Sequence, residues 1–112
     1  MYGSAKARPA YYEALIENIT NASTDGHEFI LLGDLNFDYK FDETLCNNPI
    51  YYLEQLFNLK QLITQPTRVT LSTATLLDVI LTSMPEHHLT SGVTKIALSD
   101  HYMVFSVLNF KC

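Results

Sequence analysis

The sequence is short of cysteine, of cationic charge and of long apolar runs, and each shortage narrows what the chain can be. Cys46 and Cys112 are its two cysteines, far apart and in no C-x-x-C pair. Neither a disulfide framework nor a thiolate zinc site is therefore expected. The expected setting is reducing and intracellular, in nucleus or cytoplasm, and not secreted. Lys and Arg number 7 against 12 Asp and Glu, a net charge of −5. A surface of that sign does not attract a phosphate backbone by bulk electrostatics, so handling nucleic acid requires local basic contacts, a divalent cation or a basic partner surface. No apolar run is long enough to span a bilayer, and residues 1–9 hold no apolar core of a leader peptide, so no membrane partner is expected. Without a leader, the glycosylation patterns Asn18-Ile19-Thr20 and Asn21-Ala22-Ser23 read as chance matches.

What is present is enough for one compact domain: 112 residues, 47% hydrophobic and 17% charged, with no repeat, low-complexity tract or linker composition. Tyr12, Leu15, Ile16 and Ile19 recur at helical spacing after Pro9, which predicts an amphipathic helix from Arg8 to Asn21. Ser23 to His27 is a loop. The wholly apolar run Phe29-Ile30-Leu31-Leu32, closed by Gly33, predicts a strand buried on both faces. Asp34 to Pro49 reads as a long polar loop and Ile50 to Asn58 as a second helix. Leu62-Ile63, Thr75 to Thr82, Val93 to Leu98 and Met103 to Phe110 are strand candidates. Strands mixed with two helices give an α/β class, mainly one mixed or antiparallel sheet.

Three places put polar residues where packing alone would not. Leu32-Gly33-Asp34-Leu35-Asn36 lies at a strand end, where glycine admits a ligand and Asp34 and Asn36 point to one side; an ordinary Asx turn is the alternative. Asp78 interrupts Leu76-Leu77-Asp78-Val79-Ile80-Leu81, where a buried carboxylate is costly unless paired. It either faces solvent at an edge or orients a histidine. Ser99-Asp100-His101 pairs a hard oxygen ligand with an imidazole suited to proton transfer, or else forms a polar turn. His87 and His88, in the loop after Pro85, are expected to be solvated.

Taken together, Phe29 to Asp38, Gln65-Pro66-Thr67-Arg68-Val69-Thr70, Thr75 to Thr82 and Leu98-Ser99-Asp100-His101 resemble the endonuclease/exonuclease/phosphatase (DNase I-like) superfamily. The Pro-Thr-Arg segment leading to the Leu-Asp strand is most similar to the endonuclease domain of non-LTR retrotransposons. The resemblance covers nearly all of this chain but only the C-terminal half of that family's four-layer α/β sandwich, and so predicts a partial domain over residues 1–112. It implies a magnesium-dependent (manganese possible in its place) phosphodiesterase that nicks DNA. In that reading Asp34 orients or deprotonates water, Asn36 bonds a phosphate oxygen, and His101 contacts the scissile phosphate with its ring fixed by Asp78. Asp100 lies by the metal, Tyr2 matches an active-site tyrosine, and Arg68 contacts DNA phosphate.

The family's first half brings a metal-binding Glu that this sequence does not contain, so metal binding is expected to be weakened. The alternative expectation is a catalytically inactive remnant. A third reading is a binding module that pairs its sheet with the absent half or with another copy of the chain.

Overall fold

The computed structural model describes residues 9–96 and 100–109. Helix α1, Ala10–Thr24, begins after Pro9, whose extended backbone sits just outside the first turn. Its apolar stripe turns inward, with Tyr12 and Ile19 buried and Leu15 and Ile16 against the core. The Tyr12 hydroxyl donates to the Pro49 carbonyl at 2.7 Å, tying α1 to the start of helix α2, Pro49–Phe57. Asn48 caps α2: its Oδ1 accepts from the Ile50 amide at 2.9 Å while its Nδ2 donates to the Asp38 carbonyl at 2.9 Å. Left-handed Asn58 ends the helix.

Among the described residues all strand pairings are antiparallel and build three sheets. Strand β1, Ile30–Asp34, pairs with β5, Asp78–Thr82, which pairs on its other side with β2, Lys60–Gln61. Strands β3, Arg68–Val69, and β4, Ala74–Thr75, form a short hairpin. Strands β6, His88–Thr94, and β7, Met103–Leu108, form the third sheet. The architecture is α/β with two helices, as composition and periodicity imply. Among the described residues no helix is long and apolar enough to cross a membrane.

The core lies between α1, α2 and the β1-β5-β2 sheet. Tyr12, Ile50, Leu53, Ile63, Val79, Ile80 and Leu81 fill it, each essentially inaccessible. Central β5 is buried from Val79 to Thr82, as expected for a strand flanked on both edges. Buried Glu54 is satisfied by the Tyr39 hydroxyl at 2.5 Å and the Gln61 amide at 2.9 Å. Burial and that hydrogen bond raise the Tyr39 pKa well above the ordinary phenol range.

Several local expectations require correction, among them the short strand at Leu62-Ile63, which is Lys60–Gln61, and the strand expected from Val93, which spans His88–Thr94. Strand β1 is not covered on both faces, since Leu32 is 62% exposed. The single strand from Thr75 to Thr82 is broken at Leu76 and Leu77, whose amides are taken by side chains: Asp38 Oδ1 binds the first at 2.9 Å and Thr67 Oγ1 the second at 3.0 Å. His88 is not a solvated loop residue. It opens β6, with Nδ1 2.5 Å from Ser106 Oγ and Nε2 3.0 Å from Thr82 Oγ1, so it joins the third sheet to β5. Leu98 and Phe110, at the ends of two expected strands, lie outside the described residues.

Candidate active site

The site forms where β1 and β5 end side by side. Their register puts Asp34 directly opposite Asp78 on the terminal rung. Two carboxylates in that relation repel. The ring of His101 stands between them, with Nδ1 2.9 Å from Asp78 Oδ2 and Nε2 3.8 Å from Asp34 Oδ2. Because a carboxylate only accepts, Nδ1 carries the proton that Asp78 receives, and the second nitrogen turns toward Asp34. The Asp78 side chain is 16% exposed and hydrogen-bonded to His101, so it does not face solvent at an edge. The hydrogen bond to Asp78 raises the His101 pKa above 6.5, helped by the charges of Asp78, Asp34 and Asp100 and opposed by burial.

Local backbone geometry explains the Gly33-Asp34-Leu35-Asn36 run. Gly33 has φ 143°, a conformation that side-chain-bearing residues avoid, although a Cβ there would meet no neighbour. Asp34 Oδ1 accepts from the Asn36 amide at 2.8 Å, an Asx turn that holds Asn36 at a left-handed φ of 60°. The turn and the site use the same residue, leaving Asp34 Oδ2 aimed at His101. Tyr11 on α1 borders this turn and donates its hydroxyl to the Leu35 carbonyl. Burial and the nearby Asp34 charge raise its pKa.

His101 is positioned by the segment 67–69. Thr67 is fully buried, and its Oγ1 accepts from the amides of both Leu77 and Asp78 at 3.0 Å. Its carbonyl accepts from the Tyr102 amide at 2.6 Å, Arg68 makes a β-bridge to His101, and the Val69 amide donates to the Asp100 carbonyl at 3.2 Å. Thr67 thus fastens both members of the Asp78–His101 pair. Only its place in the Pro66-Thr67-Arg68 segment marked it in the sequence, and nothing there assigned it this bonding.

Arg68 and Asp100 form an ion pair, with both Nε and Nη2 2.9 Å from Asp100 Oδ2. The structure therefore brings together Asp34, Asn36, Asp78 and His101, with Arg68 and Asp100 alongside. Tyr2 and Ser99 lie outside the described residues. Ligand atoms of Asp34, Asp78 and His101 all lie within 4.8 Å of one another. Asp78 is committed to His101. Within that group the hard oxygen left for a divalent cation is Oδ2 of Asp34, and Asp100 lies outside the group. One or two carboxylates with waters suit magnesium, so the donor chemistry fits that ion. No family model, curated protein or solved structure matches the chain.

Proposed function

We propose that the chain carries the acid–base half of a metal-dependent phosphodiesterase site, with DNA as its substrate and strand nicking as its reaction. One observation carries the reading: an imidazole fixed between two facing carboxylates at the mouth of a sheet, beside an arginine. Packing requires none of these groups, and their mutual orientation is what hydrolysis of a phosphodiester needs.

In this reading Asp34, held by the Asx turn, orients an attacking water and takes its proton. Attack at phosphorus forms one P–O bond as the bond to the leaving sugar oxygen breaks, and that oxygen takes a proton from solvent water. Asn36 donates its side-chain amide to a non-bridging oxygen. His101, its ring fixed through Nδ1 by Asp78, stabilises charge developing at the phosphate. Arg68 supplies forked donors to a flanking phosphate. A bound magnesium or manganese ion would neutralise charge on the phosphate oxygens, with Asp100 as the carboxylate beside it.

A second reading is favoured by the apolar residues left bare. Leu32 and, on β7, Met103, Phe105 and Val107 are all at least 41% exposed. A face of that kind suits coverage by another polypeptide, so that the chain by itself is an inactive remnant. Relaxation of supercoiled plasmid in magnesium separates the two. The first reading expects nicking that EDTA abolishes and that His101→Ala lowers at least about a hundredfold. Nicking that persists in His101→Ala would refute it, and folded protein with no nicking would favour the second.

A further inference from the structure

We infer that Tyr11 is a positioning residue: its hydroxyl latches the Leu35–Asn36 peptide in the orientation that aims Asp34 at His101 and sets Asn36 into the site. The inference rests on the phosphodiesterase reading for the reaction that the turn serves. To that reading it adds a residue from α1, outside the strands that carry the site.

The peptide unit between Leu35 and Asn36 is gripped at both ends. Its amide, carried by Asn36, donates to Asp34 Oδ1 at 2.8 Å, and its carbonyl, carried by Leu35, accepts from the Tyr11 hydroxyl. The unit before it is fixed by the end of the sheet, since the Leu35 amide donates to the Leu77 carbonyl at 3.2 Å. On the other side the Phe37 ring lies against two tyrosines of α1, 6.5 Å from Tyr11 and edge-on to Tyr12 at 5.8 Å. Tyr12 is fully buried, so the helix that carries Tyr11 is anchored in the core. Burial and the Asp34 charge raise the Tyr11 pKa, so the hydroxyl keeps its proton and remains a donor.

What the latch opposes is a flip of that peptide unit. Asn36 holds a φ of 60°, where a residue with a side chain is strained. Turning the unit over changes ψ of Leu35 and φ of Asn36 together, as between neighbouring turn types, and returns Asn36 to negative φ. The same motion points the Asn36 amide away from Asp34 Oδ1. Asp34 then loses the bond that orients its carboxylate, whose Oδ2 lies 3.8 Å from His101 Nε2. Without Tyr11, one hydrogen bond to Asp34 stands against the strain. The Tyr11 hydroxyl adds a second, which a flipped unit gives up because its carbonyl is reversed.

The test follows hydrogen exchange of the position-36 amide by NMR in the full chain. The Leu62 amide, which donates to the Ile80 carbonyl at 2.9 Å, is the control. Tyr11→Phe keeps the ring on Phe37 and removes the hydroxyl. The latch predicts that position 36 then exchanges about threefold or more faster, as loss of one hydrogen bond implies, while Leu62 is unchanged. Asn36→Gly removes the strain that drives the flip. Added to Tyr11→Phe, it should restore part of the lost protection once intrinsic exchange rates are allowed for. Unchanged exchange at position 36 in Tyr11→Phe, no recovery on adding Asn36→Gly, or an equal rise at Leu62 overturns the latch and leaves the phosphodiesterase reading standing. Folded wild-type chain that nicks no plasmid yet shows the predicted exchange removes the reaction and keeps the latch.

Discussion

Thr67→Val tests whether one hydroxyl holds the site together. The substitution keeps the shape of a fully buried side chain and removes the acceptor shared by the Leu77 and Asp78 amides. A donor left without a partner costs about 1–3 kcal/mol. Leu77 and Asp78 are half-buried, so the lower part of that range applies to each. The expected loss is then about 2–4 kcal/mol, a large share of a domain stability of about 5–15 kcal/mol. At about 4–8 °C per kcal/mol for a domain near this size, the melting temperature should fall by roughly 8–32 °C. Thr67→Ser keeps the acceptor and removes one buried methyl, worth about 0.8 kcal/mol. Thermal unfolding followed by circular dichroism compares the two variants, and the ring resonances of His101 report whether Asp78 has moved. If the valine and serine variants unfold within about 1 kcal/mol of each other, the hydroxyl does not carry the load assigned to it.

Other outcomes follow from the same contacts. Asp78→Asn removes the charge that raises the His101 pKa, so the imidazole should titrate closer to 6.5 in an NMR pH series. A folded-state pKa above the unfolded one makes the His101 contribution to stability complete below about pH 6.5, and it is lost as pH rises through the raised value. In the wild-type chain, the pH dependence of urea unfolding should therefore contain a component that weakens above neutrality and vanishes in His101→Ala. Asn36 sits at a φ of 60°. Asn36→Gly should keep full stability by denaturant titration, whereas Asn36→Val should lose roughly 1–2 kcal/mol; both should lose nicking if the amide contacts phosphate. Tyr39→Phe strips a donor from buried Glu54 and should destabilise by about 1.5–3 kcal/mol, measured by urea denaturation.

The parts of the fold that could be read from the sequence are those governed by local periodicity. Helix α1 follows from the Tyr12, Leu15, Ile16, Ile19 stripe, and β5 follows from its unbroken apolar run after Asp78. The exposed side of β1 was not legible, because an apolar run shows that a strand can be buried and not what covers it. The break before Asp78 was hidden for a similar reason. It is made by Asp38 and Thr67, which reach it from distant parts of the chain. Asp34, Asn36, Asp78 and His101 were legible as polar residues out of keeping with their surroundings. The Arg68–Asp100 pair, 32 positions apart, was not, since each residue already had a reading of its own. His88 was misread because a histidine after a proline turn looks solvated until its two hydroxyl partners are known.

The terminal rung of β1 and β5 has a consequence for how this site can vary. Asp34 and Asp78 are neighbours through the ladder itself, while the chain from one to the other runs out through α2, adds β2 at the far side of β5 and then returns. Lengthening that stretch at exposed Glu43 would shift neither carboxylate, and doubling a loop costs only about 0.6 kcal/mol in closure entropy. A single-residue slip of one strand against the other would instead turn that strand's carboxylate to the opposite face and strand the imidazole. The chemistry is thus tolerant of insertions and intolerant of misalignment, so pairing errors during folding would be visible as lost function before they are visible as lost structure.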